Sequence, residues 1–287
     1  MTINQSINQS INQSINQSIN QSINQSINQS INQSINQSIK IFIINLEKAT
    51  DRRQFMQQQF DELQSQHPDF HFNYEFFTGI NGNENPDYPL FRQYNAQKRQ
   101  NRKGNEMSLS QLGCFASHYL LFKKCIQLNE PIVVLEDDAV LLDKFYDVIK
   151  FIPQVADQFE FFRLSNRSAG NDIKSTPLLQ IPNTALHISK VYKGWANLTG
   201  YFITPPAAKK FLNQMTEWVY NVDIAMDRYW ENKVHFCAVL PNVVRPQGEF
   251  VSQIQMDHSK RSLNVKVKRE IFAIYDRIRK FLFDLTH

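Results

Sequence analysis

The sequence predicts an α/β fold in which a mainly parallel sheet is flanked by helices. Short runs of β-branched and aromatic residues alternate with longer segments whose apolar residues recur at helical spacing. Lys40–Leu46 is the first predicted strand, and a polar turn separates it from a helix at Gln54–Leu63. A second helix, Ser108–Leu128, starts with a capping box and leads into a buried strand at Ile132–Leu135. Strands joined by helices run in the same direction, so this order favours a parallel sheet.

Amino-acid composition narrows the classes of protein to which the chain can belong. It has 287 residues, of which 42% are hydrophobic and 20% charged, and its net charge is +4. This weak positive charge suits anionic substrates or a membrane surface and does not indicate nucleic-acid binding. The glycine-rich motifs of P-loop and dinucleotide-binding proteins are absent from the sequence, as are GxSxG and HExxH.

The three cysteines, Cys114, Cys125 and Cys237, have neither a metal-binding spacing nor the even number typical of a disulfide framework. We therefore expect reduced thiols and a cytoplasmic location. No apolar run in the sequence reaches the roughly 20 residues of a membrane-spanning helix, and the first residues do not resemble a signal peptide.

Residues 1–39 form a low-complexity segment in which Ser-Ile-Asn-Gln occurs eight times between Ser6 and Gln37. Serine and asparagine are poor helix formers, and the segment supplies no partner strands, so we expect it to be disordered. The DNA repeat CAAT encodes Gln-Ser-Ile-Asn when it is read in triplets. We therefore hypothesise a translated tetranucleotide repeat whose slippage switches the gene in and out of frame, which is phase variation. Mixed codons in the gene would contradict this hypothesis.

The rest of the chain is expected to form one domain at residues 40–258 and a C-terminal helix within residues 259–287. Lysine and arginine residues surround the apolar face of that helix, which is typical of a helix that binds an anionic membrane surface. Docking of the helix onto the folded domain is the alternative. The apolar face consists of Ile271, Ile274, Ile278, Phe281 and Leu285.

An acidic segment, Glu136-Asp137-Asp138, follows directly after the predicted buried strand. Unpaired carboxylates are costly to bury, so the acids should lie where the strand leaves the sheet. Ligands of open α/β sheets bind outside the carboxyl ends of strands. Hard oxygen ligands at this edge suit Mg²⁺ or Mn²⁺, which in turn hold phosphates. A solvated acidic turn without a function is the alternative.

Basic and imidazole side chains on the two predicted helices are further candidates. Arg52 and Arg53 lie in the first turn of a helix that Thr50 or Asp51 is expected to cap, where positive charge opposes the helix dipole. They are either phosphate or carboxylate ligands or a solvated surface pair. His118 lies beside the apolar stripe of its helix, and it is either a packed residue or part of the site.

The second half of the chain supplies two further carboxylates. Asp223 and Asp227 are four residues apart, so they share one face of a predicted helix. One of them could act as a general base. Alternatively, Asp223 caps the helix and Asp227 pairs with Arg228 or Lys233.

Further elements are predicted around these sites. The polar, basic segment 81–105 is interpreted as a functional or a disordered loop. A helix at 207–215 follows two prolines, Pro205 and Pro206. Additional strands are expected at 70–78, 160–165, 199–204 and 234–240.

Five segments in this order resemble the bacterial lipopolysaccharide glycosyltransferases of glycosyltransferase family 25. The resemblance runs from about Lys40 to Pro246, and the N-terminal repeat is similar to that of phase-variable lipooligosaccharide galactosyltransferases. The segments are NLEKATDRR (Asn45–Arg53), SLSQLGCFASH (Ser108–His118), PIVVLEDDAVL (Pro131–Leu141), TGYFITPPAAKKFL (Thr199–Leu212) and VDIAMD (Val222–Asp227).

The resemblance implies a GT-A-like, Rossmann-like fold, a UDP-sugar donor, and a Mn²⁺ or Mg²⁺ ion held by a DxD-like motif. Here that motif is Glu136-Asp137-Asp138, in which Asp138 is the expected metal ligand and Glu136 replaces the first aspartate. Glu136 could still reach a ribose hydroxyl of the donor or the metal, and His258 would complete the metal ligands. The expected donor-binding residues are Asn45, Arg52, Arg53, His118, Glu136 and Asp137.

The implied reaction transfers a hexose, with galactose as the preferred sugar, from a UDP-sugar to a lipooligosaccharide core saccharide with inversion. Inversion requires one carboxylate base, for which Asp223 is expected ahead of Asp227. The enzyme would act at the cytoplasmic face of an anionic inner membrane. The same acids would also suit a metal-dependent phosphohydrolase or nucleotidyltransferase, or they could be structural in a non-catalytic membrane-peripheral protein.

Overall fold

The computed structural model describes residues 38–166, 173–248 and 263–286. The N-terminal repeat and His258 lie outside these described residues. Within them the chain forms ten strands. They are β1 (Lys40–Asn45), β2 (Tyr74–Thr78), β3 (Ile132–Glu136), β4 (Ala139–Leu141), β5 (Phe161–Arg163), β6 (Ser175–Gln180), β7 (His187–Val191), β8 (Gly200–Ile203), β9 (Cys237–Leu240) and β10 (Val244–Pro246).

Eight of these strands form one sheet in the order β2-β1-β3-β8-β5-β9-β7-β6, and β4 pairs with β10 in a separate ribbon. The pairs β1–β2, β1–β3 and β5–β9 are parallel, whereas β3–β8, β5–β8, β7–β9 and β6–β7 are antiparallel. The sheet is therefore mixed, and the prediction of a mainly parallel sheet is wrong. The β6–β7 hairpin reverses the chain direction, so that β8 enters the sheet antiparallel to both of its neighbours.

Helices cover both faces of the large sheet. They are α1 (Thr50–Gln66), a 3₁₀ helix (Pro89–Gln93), α2 (Ala96–Lys103), α3 (Leu109–Leu128), α4 (Phe145–Val155), α5 (Pro205–Gln214), α6 (Val222–Met226), α7 (Tyr229–Asn232) and α8 (Leu263–Thr286). Successive residues of β1 point to opposite faces of the sheet and enter two different hydrophobic clusters. Phe42 packs with residues of α3 and α5, whereas Ile41 and Ile43 pack with residues of α1 and α4.

Of the two predicted helix N-caps, that of α3 is confirmed and that of α1 is wrong. The capping box of α3 forms between Ser108 and Gln111, as its sequence predicts. α1 begins at Thr50, but its N-cap is Ala49 and no side chain caps its backbone. Neither Thr50 nor Asp51 is therefore the cap.

Two segments also differ from their predicted secondary structure. The strand expected at 70–78 begins only at Tyr74, so the aromatic residues before it pack outside the strand. The segment 81–105, interpreted as a loop, contains the 3₁₀ helix and α2. Arg99 is the only buried residue of α2, so this helix has no apolar stripe. Without an apolar periodicity, the sequence did not predict a helix here.

The C-terminal helix α8 packs against α2 and α7. The described residues from Ile39 onward accordingly form one compact unit. None of the helices in the described ranges is both long and apolar enough to cross a membrane.

Candidate active site

The carboxyl ends of β1 and β3 lie side by side at the edge of a cleft of about 900 Å³. Their parallel register places Ile44 opposite Glu136, so the acidic segment leaves β3 close to the point where β1 ends. Residues 78–85, which follow the neighbouring strand β2, contribute another part of the lining. The acidic segment thus lies at the carboxyl edge of the sheet, as predicted, and lines a cleft.

A close approach between α3 and the loop after β2 shapes one side of the cleft. Gly113 allows this approach, because a Cβ there would lie 2.3 Å from the carbonyl oxygen of Ile80. One turn later, the Ser117 hydroxyl accepts a hydrogen bond from the Ile80 backbone N–H at 2.8 Å. Sequence analysis missed both small residues, whose only signal was their occurrence on an otherwise apolar helix.

Asp137, the middle residue of the acidic segment, is buried and held by two partners. Arg52 Nη1 donates to Asp137 Oδ1 at 2.9 Å, and Asn45 Nδ2 donates to Asp137 Oδ2 at 2.8 Å. These hydrogen bonds satisfy a carboxylate that would otherwise be costly to bury, and they tie the acidic segment to β1 and α1. Arg52 and Asp137 line the cleft, while Asn45 orients Asp137. Donor binding by these three residues stays a prediction.

Asp138 and Glu136 have no comparable neutralisation. Among the described residues, buried Asp138 Oδ1 has no hydrogen-bond partner. Burial and the neighbouring carboxylates raise the pKa of both side chains to about 7. An orphaned buried carboxylate oxygen beside a second carboxylate is the arrangement that a bound cation would stabilise. The two residues therefore fit the predicted metal site, whose third predicted ligand, His258, lies outside the described residues.

His118 is buried next to Glu136. Its Nε2 lies 3.5 Å from Glu136 Oε1, and its Nδ1 lies 3.0 Å from the Tyr201 hydroxyl. Burial lowers the pKa of His118 to about 3, so the imidazole is neutral at physiological pH. Its contact with the Glu136 carboxyl group is therefore polar and not an ion pair. Cys114 lies one helical turn earlier, and ligand atoms of Cys114, His118 and Glu136 all lie within 4.8 Å of one another. These three residues form a second set that could hold a metal ion.

Asp227 belongs to a buried ion pair. Arg163 Nη2 donates a short hydrogen bond to Asp227 Oδ1, and the Ala196 backbone N–H donates to Oδ2 at 2.9 Å. Gly194 is required beside this carboxylate, since a Cβ there would lie 2.3 Å from Asp227 Oδ2. Burial raises the pKa of Asp227, and the charge of Arg163 opposes that rise. This environment favours a structural role for Asp227 over that of a base.

The alternative in which Asp227 pairs with Arg228 or Lys233 is wrong. Arg228 binds Glu231 and Asp276, and Lys233 donates to a backbone carbonyl. Arg163, which lies 64 residues before Asp227 in the chain, takes the place of these sequence neighbours. No local pattern in the sequence pointed to this partner.

Asp223 lies near the start of α6 and is partly buried. The N-cap of α6 is Asn221, so the alternative in which Asp223 caps the helix is wrong. The charge of Asp223 contributes to the raised pKa of Glu136, although Asp223 is not among the residues that line the cleft. Arg163 Nη2 also donates to the Asp223 backbone carbonyl at 3.4 Å, so the ion pair of Asp227 holds the backbone of Asp223 in place.

Comparison with known proteins identifies the family. A family model described as glycosyltransferase family 25 (LPS biosynthesis protein) matches residues 38–226. This match covers more than half of the chain and contains β1, α3, the acidic segment and α6. The chain belongs to glycosyltransferase family 25. The resemblance expected from the sequence is confirmed by this match.

Three relatives of this family 25 chain differ in how much of their length is shared. The lipooligosaccharide biosynthesis protein lic2B of Haemophilus influenzae is 24% identical over 246 residues, which cover 81% of this chain and 88% of lic2B. A glycosyltransferase 25 family member of Aedes aegypti is 34% identical over 105 residues, or 34% of this chain and 16% of the relative. The procollagen lysyl hydroxylase and glycosyltransferase of Acanthamoeba polyphaga mimivirus is 26% identical over 184 residues, or 61% and 19%. The chain thus spans less than a third of the length of the insect and mimivirus proteins.

Two adjacent arginines of the family 25 chain have different environments. Arg52 is buried and binds Asp137, whereas Arg53 is exposed and its guanidinium lies 4.1 Å from the ring centroid of Phe76. Successive helical residues point about 100° apart, so both cannot face the cleft. The position of Arg53 agrees with the surface alternative and gives no support to its predicted role in donor binding.

Proposed function

We propose that this family 25 chain transfers a hexose, galactose in the first instance, from a UDP-sugar to a core saccharide of lipooligosaccharide. The transfer is metal-dependent and inverts the anomeric centre, and the domain has a GT-A-like fold. The acceptor class follows lic2B, whose name assigns it to lipooligosaccharide biosynthesis and which aligns with this chain over most of its length. The acceptor is lipid-linked, so the enzyme works at the cytoplasmic face of an anionic inner membrane.

The unpartnered carboxylate of Asp138 is the observation that carries this proposal. It lies in a cleft of about 900 Å³, next to Glu136 and at the carboxyl edge of the sheet. Asp138 and Glu136 would hold Mn²⁺ or Mg²⁺, and the ion would neutralise charge that develops on the diphosphate leaving group. The neighbouring Asp137 cannot readily take the same role, because Arg52 and Asn45 already occupy its oxygens.

Protein side chains supply the rest of the chemistry. Arg52 lines the cleft beside the acidic segment, where its positive charge favours a diphosphate. The acceptor hydroxyl is a weak nucleophile until a carboxylate removes its proton. Asp223 is the proposed base, because its charge contributes to the raised pKa of Glu136 and its carboxylate is more accessible than that of Asp227.

Activity of Asp138→Asn tests this proposal. Transfer from UDP-galactose to a purified core oligosaccharide should require Mn²⁺ or Mg²⁺, and the variant should lower kcat by about 10³-fold or more, because it loses a ligand charge. Asp143→Asn, which changes an exposed aspartate shortly after the acidic segment, is the matched control and should retain activity.

The reaction products separate this proposal from its enzymatic alternative. Hydrolysis of UDP-galactose that is not accelerated by any saccharide acceptor would indicate a phosphohydrolase. Wild-type rates in the Asp138→Asn variant would contradict a metal-binding role for this carboxylate.

A further inference from the structure

The C-terminal helix α8 has two faces with different environments. One face packs on the domain through ion pairs. Asp276 accepts hydrogen bonds from both terminal nitrogens of Arg228 at 2.7 and 2.6 Å, and Arg279 donates to Glu231 at 2.7 Å. Arg228 is only 4% exposed, so its bonds to Asp276 are largely shielded from water, whereas the Arg279 side chain is 39% exposed. Both ion pairs hold α8 against α7.

The opposite face of α8 carries large apolar side chains that point into solvent. Eight such residues recur one, three or four positions apart, so they form one stripe along a helix about 36 Å long. Outside α8, only Leu178, at 51%, is a large hydrophobic residue of comparable exposure among the described residues, and Ile126 is next at 36%. The stripe, each member of which exposes 51–66% of its surface, comprises Val267, Ile271, Ile274, Tyr275, Ile278, Phe281, Leu282 and Leu285.

The charge around the stripe is positive. Between Val265 and Thr286 the helix has six basic and three acidic residues. Lys266, Lys268 and Arg277 are exposed, and helical geometry places them along both edges of the stripe. Exposed Glu270 lies at one of these edges, and Asp284 there pairs with Lys280, so the edges keep a net positive charge. Asp276 lies on the docked face, where Arg228 neutralises it. An apolar stripe with basic edges is complementary to an anionic lipid surface.

The geometry points to α8 as a rigid membrane mount that inserts its apolar stripe among the headgroups of an anionic phospholipid bilayer. The two expectations for this helix, docking and membrane binding, are then met by opposite faces. Because the docked face is fixed by the Arg228–Asp276 ion pair, the helix sets the orientation of the catalytic domain on the bilayer. The inference rests on the proposed function only for the choice of the inner membrane, since a lipid-linked acceptor lies there.

Vesicle binding by the full-length chain tests the mount. Wild type should sediment with vesicles of phosphatidylethanolamine and phosphatidylglycerol and bind phosphatidylcholine vesicles less. The variant Ile271→Ser, Ile278→Ser, Phe281→Ser should lower the partition coefficient by about tenfold or more, since it removes three inserted side chains. Leu178→Ser is the matched control, because Leu178 is 51% exposed but lies on β6, and it should bind as wild type.

A charge variant and an activity assay complete the design. Lys266→Glu, Lys268→Glu, Arg277→Glu should abolish the preference for phosphatidylglycerol. All variants should retain transfer to a water-soluble core oligosaccharide, because the stripe lies outside the cleft lining. A chain that binds vesicles but transfers no sugar would contradict the proposed function and leave the mount supported.

Three results would overturn the mount. The first is a wild-type chain that does not bind anionic vesicles. The second is a triple serine variant that binds them as well as wild type. The third is a wild-type dimer that the triple serine variant converts to a monomer without any loss of vesicle binding, in which case a second copy of the chain covers the stripe.

Discussion

The acidic segment after β3 and the aspartate pair of α6 are two carboxylate sites that neutralise charge in different ways. In the acidic segment, Arg52 binds Asp137, and each side chain retains 10% of its exposure at the edge of the cleft. In the α6 pair, Arg163 binds Asp227 and is completely buried. One ion pair therefore borders the cleft, whereas the other belongs to the core.

Each site also has a carboxylate outside its ion pair. Asp138 has a buried oxygen without a partner among the described residues, and Asp223 is partly buried near the start of α6. We infer that the two paired aspartates, Asp137 and Asp227, hold the backbone in place. Asp138 would then be available to bind the cation, and Asp223 to accept a proton. Substitutions at paired positions should therefore affect stability, and those at unpaired positions should affect rate.

Asp227→Asn is expected to have the largest effect on stability. It leaves the Arg163 guanidinium buried without a counter-charge, and Nε and Nη1 of this side chain already have no hydrogen-bond partner within the described residues. We expect the free energy of unfolding to fall by about 3–5 kcal/mol, measured by urea denaturation. Asp137→Asn should cost less, because Arg52 lines the cleft, where water can solvate it.

A double variant controls for this interpretation. Replacing both partners, by Arg163→Met with Asp227→Leu, removes the buried charges together and should recover much of the lost stability. Equal losses in Asp227→Asn and Asp137→Asn would contradict the distinction between a core pair and a cleft pair.

Asp223→Asn should show the opposite behaviour. The variant removes the proposed base, so kcat should fall by about 10²-fold or more. Its free energy of unfolding should stay within about 0.5 kcal/mol of wild type, because no arginine side chain is left without a partner carboxylate. Paired measurements of kcat and urea denaturation would refute this assignment if they showed a stable variant with wild-type activity.

Glu136→Gln should change stability less than Asp227→Asn, and in the stabilising direction. In the metal-free folded protein the pKa of Glu136 is raised from 4.5 to about 7, mainly by burial. The folded state therefore binds more protons than the unfolded state between these values, and stability falls as the pH rises through this window. The glutamine variant lacks this loss, so it should be more stable than wild type by about 1–2 kcal/mol at pH 8.

Thermal unfolding at two pH values checks the prediction for Glu136. At pH 4 the carboxyl group is protonated in the folded state and largely protonated in the unfolded state, so the advantage of Glu136→Gln should nearly disappear. A gain that is the same at pH 4 and pH 8 would show that packing, and not the carboxylate charge, causes it.

Local sequence patterns predicted the elements whose residues interact with near neighbours. The capping box of α3 needs only Ser108 and Gln111, three positions apart, and it forms. The apolar run before Glu136 predicted a buried strand that ends at the acids, and β3 ends there. The periodicity of α8 predicted its amphipathic character but could not say which face meets the domain, because that depends on partners in α2 and α7.

Contacts between distant residues account for what local patterns missed. The antiparallel entry of β8 depends on the β6–β7 hairpin, which was not predicted although its turn contains Pro182 and Asn183. The lining contributed by Ser117 depends on a loop that lies 37 residues earlier in the chain. Such pairings are selected by packing of the whole domain, and a single sequence does not display them.

The sequence by itself determined that three acids follow a buried strand and that two aspartates lie four residues apart, one within α6 and one directly after it, since both features are local. Only the tertiary structure decided which of these acids are neutralised. The partners of Asp137 and Asp227 come from 85 and 64 residues away. The physical reason is that burial makes an unpaired charge costly, and the fold alone determines which arginine is close enough to offset that cost.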